Sequence, residues 1–82
     1  MYNIGDEEVN LIIEGLKRIV LDEWGEEHES NRFVNADIYD KDEYYFFIKI
    51  VYGVSTKEKH LINKKYYVVN RTDLKIEEET EE

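Results

Sequence analysis

Two histidines, twenty carboxylates and no cysteine set the chemistry open to this 82-residue chain. Without thiols, neither disulfides nor thiolate-held metals are available. His28 stands in the run Glu26-Glu27-His28-Glu29, whose oxygens and imidazole could gather around a divalent ion. A polar loop after a helix has the same composition, and His60, the other imidazole, is far away in sequence. Asp37, Asp40, Asp42 and Glu43 resemble an oxygen-ligand set for calcium, but they lack the glycine-centred loop that closes on a glutamate. A hairpin turn accounts for them better. No metal site and no cofactor are expected.

Covalent and acid–base chemistry are poorly supplied. The hydroxyls Ser30, Ser55, Thr56, Thr72 and Thr80 fall in polar loops or the tail, outside any nucleophile-elbow context. Carboxylates are abundant, but an acid–base pair needs a pocket that pushes two pKa values apart. No glycine-rich phosphate loop occurs. Asn70-Arg71-Thr72 matches a glycosylation sequon, and without a secretory leader it reads as coincidence. The chain is expected to be no enzyme.

The elements that would position any site follow from periodicity. Val9, Ile12, Ile13, Leu16, Ile19 and Val20 recur at helical spacing, which predicts a helix over Asp6 to Trp24. Asp6 is the expected N-cap and Gly25 the expected stop. Leu11 and Leu21 fall away from the main stripe. Val34, Ala36 and Ile38 alternate with polar residues, a strand over Arg32 to Tyr39. Asp40-Lys41-Asp42-Glu43 turns the chain into a second strand, Tyr44 to Tyr52, which Gly53 ends or bulges. His60 to Ile62 begins a third strand, which Asn63-Lys64-Lys65 interrupts or closes. Tyr66 to Val69 is strand-like, and Leu74 to Ile76 returns after a turn. The expected fold is α+β, one N-terminal helix on an antiparallel meander of about four strands. Residues 1–76 form the single domain and 77–82 a frayed acidic tail.

Tyr44 to Tyr52 is apolar on both faces, whereas a sheet in so small a protein usually leaves one face wet. Its even-numbered residues should meet the helix together with Val34, Ala36 and Ile38. Tyr39, Tyr45, Phe47, Tyr52, Phe33 and Tyr67 could share the opposite face, diluted by Lys49, Asn35 and Asp37. Tyrosine combines apolar area with a polar tip, which suits interfaces. A chain this short buries only about 60–65% of its unfolded surface, so dimerisation would help it.

The formal net charge is -9. Residues 1–31 hold nine acids and two bases, whereas residues 57–75 hold two acids and six bases. Such a balance argues against direct nucleic-acid binding and permits binding to a basic surface. The local lysines read as guards on an edge strand, or as partners for the acidic half of a second copy. No apolar run approaches the ~20 residues of a membrane span. The opening residues show no leader pattern, so a cytoplasmic location is expected.

Helix followed by meander resembles the cystatin-like and PepSY-like group of small α+β domains. Tyr66-Tyr67-Val68-Val69-Asn70-Arg71-Thr72-Asp73-Leu74-Lys75-Ile76 resembles their final hairpin, with Leu74 where glycine is frequent. The resemblance implies protein binding or inhibition. In size, acidity and tyrosine content the chain is also similar to phage-encoded inhibitors of host enzymes and to toxin-immunity proteins. The expected function is therefore a non-enzymatic protein-binding inhibitor whose acidic surface engages a basic site. Its expected contacts are Glu7, Glu14, Asp22, Glu23, Glu26 and Glu27 for charge, with Tyr45, Phe47 and Tyr67 as anchors. The alternative is a self-associating module, a homodimer through the aromatic sheet face.

Overall fold

The computed structural model describes residues 5–25 and 31–79. Helix α1 (Asp6–Trp24) is followed by strands β1 (Arg32–Lys41), β2 (Tyr45–Ser55), β3 (His60–Asn70) and β4 (Ile76–Glu79). The strands pair antiparallel in the order β1-β2-β3-β4, the meander expected from the sequence. The helix covers one face, the inner face. No described helix is long and apolar enough to cross a membrane.

The helix has its expected bounds, but its N-cap falls one residue earlier than expected. Gly5 occupies the N-cap in extended backbone and accepts from Val9 N at 3.1 Å, so Asp6 is the first helical residue. Gly25 ends the helix with φ 73°, and its amide donates to Leu21 O. Glycine carries this left-handed conformation without a Cβ penalty.

The apolar stripe meets the sheet as its spacing requires. Val9, Ile13, Leu16 and Val20 form one core with Phe46, Ile48, Ile50, Tyr67 and Val69, and Val34, Ala36 and Ile38 pack at its margin. Each fully buried Val, Ile or Phe contributes roughly 1.5–3 kcal/mol. Ile19, expected in the stripe, is 50% exposed on the helix flank.

Strand pairing corrects four expectations. β2 begins at Tyr45, leaving Tyr44 in the turn, and runs through Gly53 in unbroken register to Ser55. β3 is continuous, and Asn63, Lys64 and Lys65 pair with Tyr52, Val51 and Ile50. Lys64 and Lys65 lie beyond the four residues that β4 pairs, so this stretch of β3 is an open edge among the described residues, where lysines guard against further pairing. Glu77, Glu78 and Glu79 are not tail but sheet, paired with Val68, Tyr67 and Tyr66. An acidic outer strand discourages pairing with another sheet edge.

The turns are held by local side-chain acceptors. Asp42 Oδ1 accepts from the amides of Tyr44 and Tyr45, both at 2.8 Å. Asn70 Oδ1 accepts from Thr72 N at 2.8 Å and Asp73 N at 3.2 Å. Leu74 has φ 63°, the left-handed region that favours glycine. Arg71 ties the two turns together. Its amide donates to Tyr44 O, its Nη1 donates to Asp42 O at 2.7 Å, and its guanidinium lies 4.7 Å over the Phe46 ring.

Candidate functional site

The face of the sheet opposite the helix, the outer face, carries no second layer among the described residues. The smallest Cα extent of the molecule is 17 Å, room for one helix upon one sheet. Alternation places Phe33, Asn35 and Asp37 of β1 on the outer face, with Tyr45, Phe47, Lys49 and Val51 of β2. From β3 it places Ile62, Lys64, Tyr66 and Val68 there, and from β4 Glu77 and Glu79.

A β-bulge assembles the aromatic part. The register of β1 slips between Ile38 and Asp40, leaving Tyr39 as the extra residue. Continued alternation would have turned Asp40 toward the helix side with Ile38. The slip sets Asp40 opposite Phe47, on the outer face, and re-aims Tyr39, as bulges do. The Tyr39 ring reaches across β2 to lie 6.2 Å from Phe47 and 5.8 Å from Tyr66, the latter edge-on. Tyr45 lies 6.3 Å from Phe47. These are separations at which ring pairs attract. Tyr39 stays 49% exposed and Tyr45 38%.

Acids frame this cluster. Asp37 and Asp40 stand on the β1 side, Glu77 and Glu79 on the β4 side. The Tyr39 phenol is pushed above its ordinary value by burial first, then by Glu79, Tyr66 and Asp40. Glu79 and Asp40 thus act on the Tyr39 ring.

Tyr67 does not belong to the outer face, contrary to the expectation. It pairs with Ile48, points to the helix and is 6% exposed. Burial is the main cause that raises its phenol pKa. Tyr52 is on the same inner side, edge-on to Trp24 with centroids 5.5 Å apart. Tyr45 and Phe47 are where the sequence placed them. Sequence reasoning did not group Tyr66, Asp40, Glu77 and Glu79 with them, because the bulge and the pairing of the acidic run are both non-local.

The expected acidic contacts lie elsewhere. Glu7, Glu14 and Asp22 are exposed on the helix, across the molecule from Tyr45 and Phe47, so one flat partner surface cannot meet both groups. Glu14 pairs with Lys17 at 3.0 Å. Glu23 accepts from Lys65 at 2.8 Å, and Lys65 also lies 3.9 Å from Glu78. This pairing ties the helix to β3 and β4 and raises the Lys65 pKa, chiefly through the Glu23 hydrogen bond. Glu26 and Glu27 lie outside the described residues, as does the run around His28. A shallow groove between α1 and β1 is lined by Glu14, Lys17, Arg18, Asp22, Arg32 and Val34, a mixture of both charges.

Among the described residues, no three His, Asp or Glu side chains converge as metal ligands. Asp42 instead caps its turn, and Asp40 Oδ1 accepts from Lys41 N at 2.9 Å. Ser55 Oγ lies 3.4 Å from His60 Nδ1 at the exposed end of the β2–β3 hairpin. Comparison with family models, curated proteins and solved structures found no match to this chain.

Proposed function

We propose that this chain is a non-enzymatic protein-binding protein that inhibits its target by covering a basic surface. The observation that carries this reading is the uncovered cluster of Tyr39, Tyr45, Phe47 and Tyr66 framed by Asp37, Asp40, Glu77 and Glu79. Aromatic rings supply apolar area and faces for arginine or lysine. Surrounding carboxylates steer a cationic partner and repel phosphate. The helix side fits such a partner less well, because Lys17, Arg18 and Arg32 lie among its acids.

A photo-crosslinking phenylalanine analogue at position 45, introduced in cells that make the chain, tests the reading. An adduct with a different protein is expected, lost at high salt and in Asp40→Lys/Glu79→Lys. The reading fails if position 45 yields no such adduct, or if Glu7→Lys/Glu14→Lys abolishes it while Asp40→Lys/Glu79→Lys leaves it intact.

A further inference from the structure

The charges on the outer face are unevenly spread along the strands. Toward the end where β1 turns into β2 stand Asp37, Asp40, Asp42, Glu43, Glu77 and Glu79, which outnumber the bases Lys41, Arg71 and Lys75 there, the last 3.9 Å from Glu77. Toward the end where β2 turns into β3 stand Lys64, Lys57 and Lys59, with Glu58 the one acid of that turn among the described residues. The aromatic cluster lies within the acidic half. The other half carries Phe33, Val51 and Ile62 on the same face. One molecule therefore presents both a framed aromatic patch and a basic apolar patch on one surface.

We propose that in the free protein a second copy of this chain occupies the outer face, with its strands running antiparallel to the first across a two-fold axis perpendicular to the strands. The inference rests on the reading of this face as a binding surface and names what holds it before a target arrives. The axis passes near the Lys49 and Val51 rows. Phe47 and Val68 of one copy then lie over the Phe33 and Ile62 row of the other. Glu79 comes opposite Lys64, and the Asp42-Glu43 turn approaches the turn holding Lys57 and Lys59. All of these contacts occur twice by symmetry.

Charge selects this arrangement over the other face-to-face dimer. A two-fold axis along the strands would lay β1 over β4, setting Asp37 and Asp40 against Glu77 and Glu79, and like charges so placed repel. The area is adequate. The three long strands, which overlap in this arrangement, give about 500 Å² of flat sheet at ordinary strand dimensions, and side-chain relief and the flanking turns add to it. A standard interface takes about 800 Å² per partner. The assembly would be a four-layer sandwich, helix-sheet-sheet-helix, with Glu7, Glu14 and Asp22 on its outside. A basic target would have to displace the second copy, so target binding and self-association compete.

Sedimentation of the full chain tests the proposal. A particle of about 20 kDa, twice the 9.9 kDa chain, is expected at low salt, dissociating as salt rises. Glu79→Lys should weaken dimerisation by at least about tenfold, equivalent to about 1.4 kcal/mol, and adding Lys64→Glu should restore it. The chain has no cysteine, so orientation is read by crosslinking. A long bis-maleimide should join Tyr45→Cys chains to Ser55→Cys chains and should not join Tyr45→Cys chains to one another. A folded monomer at all concentrations overturns the proposal, and so does a Tyr45→Cys homo-crosslink or a dimer indifferent to Glu79→Lys. A monomer that still forms the position-45 adduct with another protein sinks only the dimer. A dimer that forms no such adduct sinks only the target reading.

Discussion

Gly53→Ala and Gly15→Ala introduce the same methyl group and should move stability in opposite directions. At Gly53 an added Cβ would overlap the Leu61 carbonyl oxygen, 2.9 Å from its carbon and 3.2 Å from Ile62 Cα. Those atoms are β3 backbone, held in register on both sides of the residue, so no side chain can swing away. Overpacking of an ordinary core costs about 1–3 kcal/mol, and a clash with paired backbone belongs at the upper end, about 3 kcal/mol. At Gly15 nothing lies within 4 Å of the added atom, and the residue is exposed within the helix. Alanine there should gain about 0.8–1 kcal/mol. Unfolding entropy near 2.1 cal/mol/K per residue makes 1 kcal/mol worth about 6 °C in a chain of this length. Thermal melts followed by circular dichroism should thus show Gly53→Ala about 17 °C lower and Gly15→Ala about 5 °C higher. Total stability is about 4–12 kcal/mol at this size, so Gly53→Ala still folds when cooled. A Gly53→Ala loss below about 1 kcal/mol would refute the argument, because it would mean that β3 yields freely at Leu61.

Other outcomes follow from the turns and the titrating groups. Leu74→Gly removes a left-handed strain of about 1–2 kcal/mol and loses about 0.4–1 kcal/mol to unfolded-chain entropy. It should raise the melting temperature by a few degrees, whereas β-branched Leu74→Val should lower it. Tyr67, Tyr39 and Lys65 all have raised pKa values in the fold. Groups raised on folding contribute stability below their unfolded values and lose it as pH passes the folded ones. Urea stability should be insensitive to these groups up to about pH 10 and fall above it, in step with tyrosinate absorbance. Lys65→Met should cost only about 0.5–1 kcal/mol, since its carboxylate partners are largely exposed, and high salt should shrink the difference.

Much of the architecture was legible in the residues because it is local. The stripe Val9, Ile13, Leu16, Val20 fixes a helix face by its own spacing, and alternation in Phe46, Ile48, Ile50 fixes a strand face. Tyr67 was misassigned because its face depends on where β3 pairs with β2, which the Thr56–Lys59 connection determines. There Thr56 Oγ1 accepts from Lys59 N, and Thr56 N donates to Lys59 O. The slip at Tyr39 is equally invisible, since alternation carries no mark of one extra residue until its partner strand is known. The acids Glu77, Glu78 and Glu79 read as solvated tail because strand propensity alone disfavours them. Pairing with Val68, Tyr67 and Tyr66 overrides that preference.

β4 is four residues long and exposed throughout, yet it alone makes β3 an interior strand along Tyr66–Val69. Short, solvent-facing elements open first in native-state fluctuations. A protease cutting between Leu74 and Ile76 would remove the acidic guard and bare the polar backbone of Tyr66–Val69, a segment of aromatic and β-branched residues. Such an edge is a template for adding further strands. The last described residues thus act as a seal against fibre growth, and the trimmed chain should seed aggregates that the full chain does not.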